Sequence, residues 1–332
     1  MKLKKNCSIL IITHNRHQFL LNILNYYKKK SKKIIILDSS SKKNKSVNSA
    51  KYFHLPNYSL IDKIKFGLAK TNSKYVVISS DDDFFVIKSL NKGVNFLEKN
   101  KDYVSVLGKF VFFQNFKKKI SFRDATYINK SFNQKNAEDR INKSLTEGHS
   151  QMFYSIFRRK LLLKIFKQFK NFHSLNFHEY ISMIFLLLFG KHKFFDITWM
   201  LRDGTVNTNY KIANRKVSNN RIIKIDKSFF NSEYYKKFIK ILNKENLRYN
   251  FFSDFDKLKS LIDNYFKRQV KLNHMRYNFF ESYKTRKPFF LTYLKGLKFD
   301  ISLINKYKFF KKMDIKEIKV IEDYIYKIDK TN

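Results

Sequence analysis

The sequence has little glycine, proline and cysteine for its 332 residues. Its one cysteine, Cys7, can form neither an internal disulfide nor a zinc site made of several thiolates, which fits a reducing compartment. The first glycine is Gly67, so neither the G-x-G-x-x-G turn nor the P-loop can follow the first strand. A phosphate-bearing ligand would have to be held by other groups.

Long apolar segments are also missing. The longest, residues 181–189, is too short to cross a bilayer. The apolar run 8–12 near the N-terminus is interrupted by His14, Asn15 and Arg16, and no small-residue cleavage site follows, so it is not typical of a secretory signal. These features predict a cytoplasmic protein.

Acidic residues are scarce as well, with 27 Asp and Glu against 69 Lys and Arg, for a net charge of +42. Such a charge suggests nucleic acid or an anionic membrane as a partner. Lys, Asn, Ile and Phe are abundant together, however, as A+T-rich codons would produce. No helix-turn-helix, RNA-recognition or zinc-finger signature is present, so nucleic acid is not the expected partner, although a nucleic-acid-binding protein stays an alternative.

Hydrophobic residues make up 43% of the chain and aromatic residues 17%, which excludes a disordered protein. Short apolar runs alternate with segments of helical periodicity, in the order typical of a parallel α/β sheet. The strands are predicted at 8–12, 34–37, 52–55, 75–79 and 103–113, and the helices at 17–27, 60–69 and 87–98.

The pattern is weaker after residue 113. Residues 117–147 are polar and predict a long excursion with one helix at 137–145. A strand at 151–157, helices at 159–169 and 177–189, and a strand at 192–199 follow. The composition changes near Asn214, and beyond it the chain is basic with helical periodicity. We expect an α/β domain over 1–214 and a basic helical region over 215–332.

In open α/β sheets, ligands bind outside the carboxyl ends of the strands. The polar residues at those ends are Thr13, Asn15 and Arg16 after the first strand, Asp38 after the second, and the acidic triplet Asp81, Asp82 and Asp83 after the strand at 75–79. Adjacent carboxylates repel one another, and Mg²⁺ held by Asp81 and Asp83 against a diphosphate would relieve this.

Each of these residues also has a purely structural interpretation. Asp83 could cap the next helix from a solvated loop, Asn15 with Gln18 could cap the first helix, and Asp38 could simply end its strand.

Three segments together resemble family 2 glycosyltransferases of the GT-A fold. Residues 7–16 (CSILIITHNR) are similar to the opening strand V-S-I-I-I-P-T-Y-N-R, residues 34–40 to the second strand with its acidic end, and residues 74–84 (KYVVISSDDDF) to the DXD element. The resemblance extends over about residues 7–205. It departs from the family at Ile12 and His14, and at residues 63–67, where A-R-N-x-G is usual.

The resemblance implies sugar transfer from a nucleotide-activated donor, such as a UDP- or GDP-sugar, to a hydroxyl of a glycan or glycolipid acceptor. It implies a Rossmann-type, mostly parallel sheet flanked by helices, with a donor half at 1–113 and an acceptor half at 114–214. The resemblance further implies that the transfer inverts the sugar carbon and that Mg²⁺ or Mn²⁺ assists it. It also implies a role in the synthesis of surface glycan, lipopolysaccharide or capsule. A Mg²⁺-dependent nucleotidyltransferase, which would lack a glycine-rich phosphate loop here, stays an alternative.

The resemblance also assigns roles to single residues. Thr13, Asn15 and Arg16 would line the nucleotide pocket, and Asp38 would bind the base. Asp81 or Asp82 would meet the ribose or the metal, and Asp83 would bind the metal.

The general base is expected near the start of a helix on the acceptor side. The best match is Glu179, beside His178. Glu179 could instead form a capping box with Asn176. His178 could be the base, a metal neighbour, a contact of the diphosphate or acceptor, or a surface residue.

Other candidates are more open. Arg202 could meet the diphosphate or lie in a surface turn before Gly204, and His149 could contact the acceptor or belong to an ordinary loop. Trp199 could stack on a sugar, although core packing is favoured. The basic helices could lie on the anionic inner face of the membrane, where each cation contributes about 1 kcal/mol, or could be solvated faces.

Overall fold

The computed structural model describes residues 1–47, 51–116, 119–124, 130–147, 152–169, 172, 177–203, 227–284 and 312–328. In these ranges the chain forms one nine-stranded sheet. Its strands are β1 Cys7–Thr13, β2 Ile34–Asp38, β3 Lys51–His54, β4 Tyr75–Ser80, β5 Phe84–Phe85, β6 Tyr103–Phe116, β7 Lys119–Asp124, β8 Ile156–Arg158 and β9 Lys191–Asp203.

The same ranges contain nine α-helices, together with 3₁₀ turns at Met152–Tyr154 and Lys227–Asn231. The helices are α1 His17–Tyr27, α2 Leu60–Lys70, α3 Ile87–Lys99, α4 Ala137–Glu147, α5 Arg159–Lys167, α6 Phe177–Phe189, α7 Glu233–Tyr249, α8 Phe255–Lys284 and α9 Lys312–Ile328.

The sheet is mostly parallel. Its order is β3-β2-β1-β4-β8-β6-β9-β5, with β7 paired to β6. β1 runs parallel to both β2 and β4, while β8 is antiparallel to β4 and to β6. β1, β2 and β4 are almost entirely buried, which explains their continuous apolar sequences. The predicted mostly parallel α/β sheet is confirmed.

Helices pack against the sheet through their apolar stripes. α2 contacts β1 and β2, and α3 contacts β6 and β9. Farther along the chain, α8 buries Leu258, Ile262 and Tyr265, as the periodicity predicts. Helix α9 packs on α1, and its Ile318, Ile321 and Ile325 are buried in the same core as the sheet residues. The division at residue 214 stays a prediction, and the two predicted parts share one hydrophobic core.

Several elements differ from the sequence prediction. The expected strand at 151–157 is a 3₁₀ turn followed by the three-residue β8. The polar excursion contains the strand β7, where Ile120 and Phe122 are buried at alternate positions. That period of two was present in the sequence, but surrounding lysines masked it.

The structural interpretation of two site residues is wrong. Asn15 does not cap α1, because the N-cap position belongs to Arg16 and Asn15 has a left-handed φ of 54°. The Asn15 Oδ1 instead accepts a hydrogen bond from the backbone of Ser41 at 3.1 Å. Asp83 does not cap α3, whose N-cap residue is Val86. Among the helices that the structure describes, none is long and apolar enough to span a bilayer.

Candidate functional site

The predicted polar residues meet at one edge of the sheet because their strands are neighbours. In the register of the sheet, Thr13 at the end of β1 pairs with Asp38 at the end of β2. On the other side of β1, Ile12 pairs with Ser80, the residue before the acidic triplet. The carboxyl ends of β1, β2 and β4 therefore form one continuous edge.

Two carboxylates of the acidic triplet are bound by Arg16. Its guanidinium lies 3.0 Å from Asp81 Oδ1 and 2.6 Å from Asp82 Oδ2. The Thr13 hydroxyl donates to Asp81 Oδ2 at 2.6 Å. Of the predicted residues at the end of β1, Thr13 and Arg16 thus contact the triplet directly, whereas Asn15 contacts the loop after β2.

The third carboxylate faces the end of β9. Arg202 Nε lies 3.5 Å from Asp83 Oδ1, and the same guanidinium donates to the Tyr154 hydroxyl at 3.1 Å. The other oxygen, Asp83 Oδ2, is buried and has no hydrogen-bond partner among the residues that the structure describes. Arg202 therefore belongs to the site and not to a separate surface turn.

Burial shifts the protonation equilibria of the triplet. It raises the pKa of Asp81 to about 7, together with the charge of Asp82 and against the opposing effect of Arg16. Burial also raises the pKa of Asp83 to about 7, although Arg202 opposes the shift. Both carboxyl groups therefore bind protons far more readily than exposed aspartates do.

Asp38 lies at the other end of the site and is completely buried. Its Oδ1 accepts from the backbone N–H of Ser40 at 2.7 Å and from the Ser40 hydroxyl. Its Oδ2 accepts from the Tyr52 hydroxyl at 2.6 Å and lies 3.5 Å from His17 Nε2. In this conformation the carboxylate organises the loop after β2.

The sequence did not single out Lys63 for the site, yet the structure places it there. Lys63 is buried on α2, and its ammonium donates to Thr13 O at 2.9 Å and to Ser39 Oγ at 2.8 Å. Burial lowers its pKa to about 8, although Asp38 and Asp81 oppose the shift. One feature of the sequence could have pointed to Lys63. It stands at the first position of the segment that corresponds to A-R-N-x-G, four residues before Gly67.

The candidate base, Glu179, lies in the first turn of α6 and is half-buried. Burial raises its pKa, and the charge of Arg202 acts in the opposite direction. Tyr154 also interacts electrostatically with both Asp83 and Glu179. The structure therefore brings Glu179 to the Asp83 end of the site. Asn176, its suggested capping partner, lies outside the described residues.

His178 and Trp199 are packed in the interior. The His178 ring centre lies 4.2 Å from that of Phe153, and burial lowers the His178 pKa to about 3, so the ring is neutral. Trp199 is fully buried and donates to Tyr154 O at 3.0 Å, which confirms core packing. His149 lies outside the described residues.

The acidic triplet fits a divalent ion that completes its coordination with other ligands. No group of three or more His, Cys, Asp or Glu suited to a metal occurs among the described residues. Mg²⁺ commonly needs only one or two carboxylates when phosphate oxygens and water supply the rest. The buried Oδ2 of Asp83, which has no hydrogen-bond partner among the described residues, is a suitable ligand, whereas both oxygens of Asp81 are engaged by Arg16 and Thr13.

The chain is similar to known proteins over part of its length. Residues 8–166 match the sequence model described as Glycosyl transferase family 2. No curated protein matches the chain.

Similar solved structures include three of TarS from S. aureus. TarS 1–349 is 14% identical with a TM-score of 0.45, over 61% of this chain and 60% of that chain. A longer TarS structure is 12% identical with a TM-score of 0.45, over 74% and 44%. TarS 1–349 in complex with UDP-GlcNAc is 12% identical with a TM-score of 0.41, over 64% and 61%. The matched part of this chain spans less than two thirds of each.

The family match begins in β1 and ends in α5, so it includes the strand ends that carry Thr13, Asp38 and the acidic triplet. The resemblance expected from the motifs is thus confirmed: over residues 8–166 the chain is similar to glycosyl transferase family 2, and its sheet is mostly parallel, as that resemblance implies.

Proposed function

We propose that the protein transfers a sugar from a nucleoside diphosphate to an acceptor hydroxyl at the edge formed by β1, β2 and β4. The observation that carries the proposal is the convergence of Thr13, Arg16 and Arg202 on the acidic triplet. Together with the triplet at 81–83, residues 13–16 and Arg202 make three separate parts of the chain that meet at this point. Convergence of acids and guanidinium groups at strand ends suits a charged diphosphate and its counter-ion.

The donor nucleotide would lie along this edge. Asp38 and the loop after β2, which includes Asn15 through its contact with Ser41, would form the end that receives the base. Arg16 and Asp82, joined at 2.6 Å, would lie nearer the ribose. Lys63 ties the ends of β1 and β2 together and would keep the pocket in shape.

Asp81 and Asp83 would hold a Mg²⁺ or Mn²⁺ ion. When bound, such an ion neutralises the charge that develops on the leaving diphosphate. The guanidinium of Arg202, which contacts Asp83, is placed to bind diphosphate oxygens by hydrogen bonds.

In an inverting transfer, Glu179 would accept the proton of the acceptor hydroxyl while the sugar carbon forms its bond to the acceptor oxygen and loses its bond to the diphosphate. Its raised pKa makes the carboxylate a stronger base than an exposed glutamate. Burial lowers the His178 pKa to about 3, which makes its ring a weak base, so we assign the proton transfer to Glu179.

The acceptor would approach from the basic C-terminal helices, as a glycolipid on an anionic membrane surface. A cavity of about 540 Å³ between α4 and α8 has cationic and apolar walls and no acidic one, which suits anionic headgroups. It is lined by Leu145, Thr146, Leu261, Asn264, Lys267, Arg268 and Lys271. Vesicles with anionic lipid should bind the wild type more tightly than Lys267→Gln/Lys271→Gln, whereas Lys240→Gln should bind like the wild type.

A donor screen tests the proposal as a whole. Mn²⁺ together with the correct nucleoside diphosphate should raise the melting temperature, because a ligand of the native state stabilises it. Turnover should release a nucleoside diphosphate. Release of pyrophosphate would select a nucleotidyltransferase instead, and nanomolar binding of random oligonucleotides at physiological salt would select a nucleic-acid-binding protein.

A further inference from the structure

Two neighbouring tyrosines of α1 bind the backbone that follows the acidic triplet. The Tyr27 hydroxyl donates to Asp83 O at 3.4 Å and accepts from the Phe85 N–H at 2.9 Å. The Tyr26 hydroxyl donates to Phe85 O at 2.8 Å. Both side chains are fully buried, and burial raises the pKa of each, so the hydroxyls stay protonated. The segment 83–85 is thus fixed by side-chain hydrogen bonds.

Glu317 of α9 binds the next part of the same segment. Its Oε1 accepts from the Ile87 N–H at 2.8 Å, and its Oε2 accepts from the Lys88 N–H at 3.4 Å. These are the first two N–H groups of α3, and the N-cap residue Val86 makes no side-chain cap. Glu317 therefore caps α3 from 230 residues away, where a carboxylate also interacts favourably with the helix dipole.

The capping carboxylate is itself held by a buried helix. Ile318 and Ile321, which follow Glu317 along α9, are fully buried. Tyr324 packs edge-on against Tyr26, with ring centres 5.5 Å apart. The Tyr26 hydroxyl also lies 3.4 Å from Glu317 Oε1. The tyrosine pair and α9 therefore form one connected support under residues 83–88.

From these contacts we propose that Glu317 and Tyr27 are positioning residues for the acidic triplet. Through them, α9 fixes the backbone that carries Asp83, and so the place where a metal and a diphosphate are bound. This inference rests on the proposed function. Carboxylates that must meet a charged transition state are effective only when their position is fixed before the reaction.

The test combines hydrogen exchange with kinetics. In Glu317→Ala, the amides of Ile87 and Lys88 should exchange about tenfold faster, because their cap is lost. The kcat for transfer should fall about tenfold, with the acceptor KM unchanged, because the carboxylates are less well placed. Glu317→Gln retains one carbonyl acceptor, so its amide exchange at Ile87 and Lys88 and its kcat should both be close to those of the wild type. Asp323→Ala, at an exposed position of α9, should match the wild type.

Tyr27→Phe removes one hydroxyl and keeps the ring. If Glu317→Ala does not fold, this variant tests the same proposal, and it should show faster exchange at residues 83–88 and a lower kcat. Wild-type exchange at residues 83–88 and wild-type kcat in Tyr27→Phe and Glu317→Ala would overturn the inference, as would equal losses in Asp323→Ala. If the wild type transfers no sugar while exchange at 83–88 still responds to Glu317→Ala, the proposed function fails and the support of this segment by α9 stands.

Discussion

Arg202 Nε lies 3.5 Å from Asp83 Oδ1, so the end of β9 supplies the cation that faces the last residue of the acidic triplet. Burial would lower the Arg202 pKa, but Tyr154, Asp83 and Asp82 raise it, and the guanidinium stays charged. The negative charge at the end of β4 is therefore offset by a cation on β9, which is separated from β4 in the sheet by β8 and β6.

Replacing Arg202 should impair transfer more than folding. Arg202→Gln removes the guanidinium cation that we propose binds the leaving diphosphate. The kcat should therefore fall about 10²-fold or more. Donor turnover under saturating conditions measures this. Arg248→Gln, in the last turn of α7, is the matched control and should keep wild-type kcat. Wild-type kcat in Arg202→Gln would remove Arg202 from the site.

Stability in the absence of ligand should depend on pH through Asp83. Its folded pKa of about 7 is above the value of about 3.9 for an exposed aspartate, so between these values the unfolded chain binds fewer protons than the folded one. The contribution of Asp83 to stability therefore declines as pH rises from about 4 to 7 and is constant above that range.

Asp83→Asn removes this contribution. The free energy of unfolding of the variant minus that of the wild type should increase from pH 4 to pH 7 in urea titrations, while transfer is lost. Asp323→Asn, at an exposed position of α9, is the control. A difference that does not change with pH would contradict the raised pKa.

Lys63→Met should weaken nucleotide binding. The change leaves Thr13 O and Ser39 Oγ without their buried donor, and we expect a roughly tenfold higher Kd for the nucleoside diphosphate by calorimetry. The lowered pKa of about 8 also means that wild-type stability rises with pH from about 8 to 10.5, and that this rise is lost in the variant. Lys70→Met, exposed on the same helix, should show neither effect.

Glu179→Gln should abolish transfer and leave donor binding intact, because the base acts on the acceptor and not on the nucleotide. Melting temperature with and without the nucleoside diphosphate measures binding, and product release measures transfer. Asp139 occupies the equivalent third position of α4 in a capping box with Asn136, so Asp139→Asn controls for the loss of a cap alone. Equal activity in the two variants would contradict the role of Glu179 as general base and would leave it only a capping role.

Gly108→Ala should destabilise the sheet. A Cβ at Gly108 would lie 2.8 Å from the backbone oxygen of Ile197 and 2.9 Å from Trp199 Cε3, and neither group can move easily. We expect a loss of about 1–3 kcal/mol in urea unfolding. Gly67→Ala meets only the end of the Leu37 side chain, at 2.6 Å, which can move, so its loss should be smaller. Equal losses would contradict this difference.

The sequence predicts the first half of the sheet well, because β1, β2 and β4 are continuous apolar runs that end in polar residues. The order of those runs suffices to place Asp38 and the acidic triplet on one edge. The sequence pattern could not predict the contacts of Arg16 and Arg202 with that triplet. They depend on how far each side chain reaches and on the order of strands across the sheet.

Lys63 and Glu317 show what local patterns miss. Lys63 looks like a surface cation, and only the packing of α2 on β1 and β2 turns it inward. Glu317 lies on a helix whose apolar stripe predicts burial but not a partner. Capping of α3 by a residue 230 positions away leaves no periodic signal in either segment.

The contact between Tyr26 and Glu317 joins residues that are 291 positions apart. During synthesis the apolar face of α1 therefore emerges long before the helix that covers it. A nascent chain, or a fragment that stops before residue 312, keeps that face and the first turn of α3 open to solvent and to chaperones. A ribosome-release or limited-proteolysis experiment should see the N-terminal sheet become resistant only after α9 is available.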